Sequence, residues 1–126
     1  MRIYKEFTFE AAHFLPSAPP GHPNARVHGH SFRVRVTIDG EPDDKTGVIM
    51  HLDDVEAALA DVHEALDHRM LNEVEGLSQP TLERIAMWLW DRLHNRLPGL
   101  AEIAIARDSC REGCIYRGPA PRLAAE

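Results

Sequence analysis

Hydrophobic and polar positions alternate from the start of the chain. Ile3, Phe7 and Phe9 fall on one parity, and Arg2, Glu6, Thr8 and Glu10 on the other, which is the two-residue repeat of a half-buried strand over 2–10. The repeat returns over 31–39, with Phe32, Val34, Val36 and Ile38 facing one way and Ser31, Arg33, Arg35 and Thr37 the other. Asp39-Gly40 and Pro42-Asp43-Asp44 close that strand with turn chemistry. Residues 14–27 have no period, and Pro16, Pro19, Pro20 and Pro23 mark them as a loop. The period then changes to three and four. Leu52, Val55, Leu59, Val62 and Leu66 predict a first helix, with Asp53, Asp54 and Glu56 where negative charge suits an N-terminal dipole. Residues 72–79 connect it to a second helix over 81–97. Its stripe is Leu82, Ile85, Leu89 and Leu93, Thr81 is its N-cap, and Pro98-Gly99 ends it. Ile103 and Ile105 predict a third strand, 114–117 a short fourth, and the residues from Pro119 onward a frayed tail.

Strand, strand, helix, helix, strand, strand is the order of an α+β domain. It predicts a four-stranded antiparallel sheet with both helices on one face. The open sheet edges and the second face invite self-association. At 126 residues, with no repeat or internal boundary, the chain reads as a single domain over 1–126. A net charge of −6 and a pI of about 5.7 argue against nucleic acid as a partner. No run of about 18 apolar residues is present to cross a membrane, and Met1 to Glu6 lacks the apolar core of a signal peptide. Two cysteines, Cys110 and Cys114, give no disulfide framework. A reducing cytoplasm is therefore expected. Both read as small apolar residues of a strand or its turn.

Three of the eight histidines change the picture. His28 and His30 lie two apart at the start of a strand, so their rings share a face. His13 ends the preceding strand on the parity of Phe7 and Phe9, as His28 and His30 share that of Phe32 and Val34. Three neutral imidazoles with one coordination position left open are a way of holding a catalytic zinc. Histidines satisfied inside the core would give the same spacing. His63 and His94 fall among charged helical residues and read as surface positions.

Longer motifs carry a resemblance. Phe9-Glu10-Ala11-Ala12-His13, Gly21-His22 and Arg26-Val27-His28-Gly29-His30-Ser31-Phe32 are similar to the signature of the 6-pyruvoyl-tetrahydropterin synthase family. They most resemble its bacterial branch, the 6-carboxy-tetrahydropterin synthases of queuosine biosynthesis. Leu66-Asp67-His68-Arg69-Met70-Leu71-Asn72, Pro80-Thr81-Leu82-Glu83 and Gly113-Cys114-Ile115-Tyr116-Arg117-Gly118 extend the likeness from about residue 3 to 118. The resemblance implies the tunnelling fold, whose ββααββ subunits form homo-oligomers, commonly a trimer or a hexamer, with active sites between subunits. It implies Zn2+ on His13, His28 and His30, and a relay that includes Asp67 and His68. It places Thr81 and Glu83 in the segment that holds a pterin, and Asp108 where the family has a glutamate anchor.

The implied substrate is 7,8-dihydroneopterin triphosphate. Zinc acts on it as a Lewis acid, and a histidine oriented by a carboxylate moves protons. Asp67-His68 also has the plainer reading of a helix end, where the dipole favours His68. Arg26, Arg33 and Arg35 suit phosphate oxygens, or equally a solvated strand face. Two departures stand out. Asn24 occupies the position of the family's catalytic cysteine, and an amide cannot ionise as a thiol does. His22 is the nearest substitute base. Asp108 is one methylene shorter than the glutamate it replaces. Three outcomes follow: the 6-carboxy-tetrahydropterin reaction with a replaced base, retro-aldol cleavage of the pterin side chain, or an inert zinc- and pterin-binding protein.

Overall fold

The computed structural model describes residues 1–120. The part of the expected frayed tail that falls on 121–126 lies outside them. Five strands form one sheet in the order β3-β1-β2-β4-β5, where β1 is Arg2–His13, β2 His28–Asp39, β3 Arg69–Met70, β4 Leu100–Arg107 and β5 Glu112–Tyr116. Helix α1 spans Leu52–Leu66 and packs over β1; α2 spans Leu82–Leu93 and packs over β4 and β5. The α+β class and the helix-covered face hold.

The strand count is corrected from four to five. The extra strand has two residues, Arg69–Met70, and runs parallel to β1 opposite Ala11 and Ala12. Two residues carry no readable period. Their position comes from His68, which takes a left-handed conformation (φ 57°) and turns the chain from the end of α1 onto the edge of β1.

The first two strands are longer than their hydrophobic alternation. β1 continues to His13 and β2 begins at His28, because Ala12 pairs with Gly29 and the ladder does not stop at the last large apolar side chain. The second helix covers its stripe but is shorter than the expected 81–97. Regular helix ends at Leu93, and a final turn carries the Leu97 amide to the Leu93 carbonyl at 3.0 Å. Thr81 does cap α2, its Oγ1 accepting from the Arg84 amide at 3.1 Å. Gly99 then reverses the chain at φ 85°, where a Cβ would lie 2.5 Å from the Asp39 carbonyl oxygen.

The core fills the space between the helices and the inner sheet face. Phe9, Phe32, Val34, Val36, Ile103 and Ile105 rise from the strands to meet Val55, Leu59, Leu66, Ile85 and Leu89. Phe9 pairs with Phe32 across the β1–β2 ladder, and their rings stack at 4.7 Å. The Phe32 ring also meets His13 and His30 edge-on at 6.0 and 5.7 Å. Core packing thus continues directly into the histidine cluster. Phe32→Ala is expected to lower unfolding free energy by about 3–5 kcal/mol. Denaturant titration checks this, and an unchanged midpoint would contradict the packing role.

Candidate metal centre and active site

The metal candidates come from strand register. His13 is the direct partner of His28, and His30 stands opposite Ala11, so three imidazoles crowd one end of the inner face. Ring centroids are 4.6 Å apart for His13 and His28, 5.1 Å for His13 and His30, and 4.8 Å for His28 and His30. One nitrogen from each ring lies within 4.8 Å of the other two.

Two backbone carbonyls fix the rings. Nδ1 of His13 donates to the Pro80 carbonyl at 2.9 Å, and Nδ1 of His28 to the Arg26 carbonyl at 2.7 Å. A carbonyl only accepts, so both rings carry the proton on Nδ1 and leave Nε2 with a lone pair. Nε2 of His13 and Nε2 of His30 are buried without a hydrogen-bond partner. Buried nitrogens left unmatched at the meeting point of three rings fit a metal that accepts imidazole nitrogen, and carbonyl-oriented ligands are how such sites are pre-set. Burial also favours the neutral form of His13 and His30. It pushes the His13 pKa down to about 4, with the charges of His28, His30 and Arg107 adding to the effect and the Pro80 hydrogen bond opposing it. His30 is lowered mainly by burial, then by Arg107 and His28.

Asp67 and His68 do touch. His68 Nδ1 donates to Asp67 Oδ2 at 2.8 Å. The other carboxylate oxygen accepts the Glu10 amide at 2.9 Å, and the His68 amide returns to the Glu10 carbonyl at 2.6 Å. The Glu10 hydrogen bond, followed by that from His68, holds the Asp67 carboxyl below its ordinary pKa. His68 is left exposed with Nε2 free to accept. It shares a cleft of about 670 Å³ with Glu10, Ala12, His30, Ser31 and Ser109. His63, read as a surface position, is half-buried. It packs edge-on against Phe7 at 6.0 Å and comes within 3.8 Å of Asp67.

The other candidates divide into separate places. Thr81 follows the Pro80 carbonyl that holds His13, and Glu83 lies in the first turn of α2 beside it. Asp108 lies beyond β4, in a 3-10 turn, where Arg33 grips it through two hydrogen bonds of 3.0 Å each. Arg33 and Arg35 both also bond Glu6 at 3.0 Å, so these cations are already paired. Arg26 supplies its carbonyl to His28, and its side chain is exposed. His22 caps the 3-10 turn Pro23–Ala25, with Nδ1 accepting the Asn24 amide at 3.0 Å. That bond places the ring proton on Nε2, so neutral His22 offers a donor rather than a base. Asn24 is exposed, and its carbonyl accepts the Leu15 amide at 2.7 Å, which pins the loop across its width. Cys110 is exposed in a 3-10 turn rather than on a strand, while Cys114 is half-buried on β5. Burial, with Glu83 adding to it, pushes the Cys114 thiol up and away from thiolate chemistry.

Sequence reasoning missed the supports. Asn72 clamps the backbone just after His13, accepting the Phe14 amide at 3.0 Å and donating to its carbonyl at 2.8 Å. The Glu10 backbone positions Asp67, and Pro80 orients His13. All three lie inside the family-like motifs, but Glu10 and Pro80 act here through backbone atoms, which leave no residue-type signal.

Comparison with known proteins settles the family. The family model described as 6-pyruvoyl tetrahydropterin synthase matches residues 2–119. The chain belongs to that family. It is 38% identical over 125 residues to a 6-carboxy-5,6,7,8-tetrahydropterin synthase of Synechocystis, covering 93% of each chain. It is 34% identical over 112 residues to a dihydroneopterin monophosphate aldolase of Pyrococcus furiosus, covering 89% of this chain and 90% of that one. The solved 6-pyruvoyl tetrahydropterin synthase of Caenorhabditis elegans superposes with a TM-score of 0.85 at 23% identity, covering 94% and 96% of the two chains, which shows a shared fold. Among the described residues, no helix is long and apolar enough to cross a membrane.

Purified protein is expected to carry close to one zinc per chain, and His28→Ala to lose it, as read by metal analysis. Metal-free native protein would count against the centre. A pH dependence follows as well. His13 has a folded pKa of about 4 against an ordinary 6.5, so between those values the unfolded chain binds the extra proton. The stability of metal-stripped protein should be full above pH 6.5 and fall as pH drops toward 4. Denaturant midpoints across that range check it, with a flatter profile expected for His13→Gln.

Proposed function

We propose that this protein is a zinc-dependent lyase of the 6-carboxy-tetrahydropterin synthase type. Its substrate in this reading is 7,8-dihydroneopterin triphosphate or a related phosphorylated pterin. The observation that carries the reading is the cleft shared by His30, a member of the histidine triad, and His68, whose Nδ1–H is fixed on Asp67. The Synechocystis relative, similar over nearly the whole chain, supports the choice of reaction. With it goes a place in queuosine biosynthesis. A cytoplasmic location accords with two cysteines that are free in the fold.

Zinc bound by His13, His28 and His30 would supply Lewis-acid polarisation of the substrate's side-chain oxygens. This chain's residues do the proton work. Asp67 stays ionised and sets the His68 tautomer, so Nε2 keeps the lone pair of a base. Once protonated there, the imidazolium is stabilised by the same carboxylate and returns the proton as an acid. Thr81, Glu83 and Asp108 are the proposed pterin contacts, and Arg26 the proposed phosphate contact. Asp108 and Arg33 hold each other, so a ring bound there must take over part of that pairing. The open edges at β3 and β5 suit a homo-oligomer, trimer or hexamer, that completes the site with a second copy.

A second reading rests on the missing thiol. The loop 14–27 contains no cysteine, and His22 in its observed geometry does not offer a lone pair. One acid–base group, His68, is enough for retro-aldol cleavage. His68 takes the proton of the C2′ hydroxyl and the C1′–C2′ bond breaks. C2′ leaves as an aldehyde, and the electron pair passes into the dihydropterin ring before C1′ is reprotonated. The Pyrococcus furiosus relative supports this alternative. An inert pterin-binding protein is the third, and the intact Asp67–His68 pair weighs against it.

Incubation of zinc-loaded protein with dihydroneopterin triphosphate, followed by mass spectrometry, separates the three. A 6-carboxytetrahydropterin is expected. A 6-hydroxymethylpterin would favour the aldolase reading, and unchanged substrate the inert one. His68→Gln should reduce turnover roughly 10²- to 10⁴-fold with zinc content unchanged. Asn24→Cys should raise turnover if the absent thiol limits the reaction.

A further inference from the structure

Arg107 stands where the alternation of β4 calls for an apolar residue. Ile103 and Ile105, on the same parity, are buried in the core. Extending the β2–β4 ladder one step past the Arg33–Ala106 pair sets Arg107 beside Phe32. It therefore sits on the face that carries His30, two residues along β2. Its side chain is only 17% exposed, and one terminal nitrogen meets Glu112 Oε1 at 2.9 Å across the β4–β5 ladder. Nε is buried with no partner.

A guanidinium has five N–H donors and cannot shed its charge. Burying one of those donors unmatched is unfavourable, and native folds seldom tolerate it without a reason. Core packing gives no such reason, since a valine or isoleucine would continue the row. The charge also bears on His13 and His30, so it stands within electrostatic reach of the triad. A divalent ion there would add positive charge to a corner where Glu112 already neutralises Arg107 on one side. What the corner lacks is an anion on the other.

We propose that Arg107 is an oxyanion anchor that acts with the histidine triad as a two-point receptor for a carboxylate or phosphate group of the ligand. The identity of that ligand rests on the pterin reading above. The anchor itself rests on the buried, half-matched guanidinium beside the triad. Nε and the terminal nitrogen beside it, Nη2, form the planar side-on fork for two oxygens, with one Nη2 hydrogen directed to the ligand and the other to Glu112.

Fluorescence titration of zinc-loaded wild type, Arg107→Gln and Arg107→Lys tests this, with pterin-6-carboxylate and the neutral 6-hydroxymethylpterin as probes. Arg107→Gln should weaken the acid roughly 10- to 100-fold, the worth of a charge-assisted hydrogen bond, and shift the neutral ligand by no more than about twofold. Arg107→Lys should fall between, keeping the charge but losing the fork. Equal zinc content in all three shows that the triad is intact. Competition by inorganic phosphate in wild type but not in Arg107→Gln assigns the anchor to phosphate; absence of competition assigns it to a carboxylate. Equal weakening of both pterins, or an unchanged affinity for the acid, overturns the proposal. Should wild type bind neither pterin, the pterin reading fails by itself. The anchor then stands if inorganic phosphate raises the thermal midpoint of wild type and not of Arg107→Gln, and falls if it does not.

Discussion

The register of β1 against β2 is the constraint on which the rest depends. Twelve residue pairs run from Arg2–Asp39 to His13–His28. A slip of one residue would turn His28 and His30 to the opposite face from His13 and leave three histidines with nothing in common. The slip is opposed by the same parity that builds the core. Phe9 would lose Phe32, and Val34 and Val36 would face solvent. Burial of one row of apolar side chains and assembly of the histidine triad are therefore a single choice of register, made in the middle of the strands and expressed at their end.

The Asp67–His68 pair depends on a second, smaller constraint. Asp67 and His68 are neighbours in sequence, an arrangement that ordinarily sends side chains apart. They meet because His68 adopts a left-handed backbone conformation, which for a non-glycine residue stores about 1–3 kcal/mol of strain. Three interactions offset it. The Glu10 amide bonds Asp67, the Glu10 carbonyl bonds the His68 amide, and Arg69–Met70 then pair with β1. The short parallel strand is in effect the bracket that holds the pair at the edge of the sheet.

Much of this was legible in the sequence, and the illegible part has a common cause. Alternation predicts both long strands and the common face of His13, His28 and His30. The three–four repeat predicts both helices, and Thr81 predicts a cap that forms. What the sequence conceals is carried by backbone atoms and by long-range pairing. Two residues of β3 have no period. The extension of β1 to His13 rests on Ala12 and Gly29, which have little side chain to signal it. Pro80 and Arg26 act on the triad through carbonyls that any residue would supply. Asn72 reads as part of a connector until its amide is seen clamping Phe14. Asp108 lies beyond the third strand in a tight turn, engaged by an arginine 75 positions away, and no local pattern announces that.

His22 and Asn24 bear on the proposed chemistry of a loop that holds no thiol. A cysteine in that loop would supply a second proton-transfer group. In its place the loop ties itself together, with His22 accepting from Asn24 and the Asn24 carbonyl accepting from Leu15. The groups that could act as bases there are spent on holding the turn. In the proposed reaction proton transfer therefore rests on His68, which lines the cleft and whose partner Asp67 is fixed by a backbone hydrogen bond. A site with one such acid–base pair favours reactions in which a single group is deprotonated and later reprotonated. In the proposed reading, the chemistry left open to this chain is therefore set less by the triad than by the one carboxylate–imidazole pair that shares a cleft with His30.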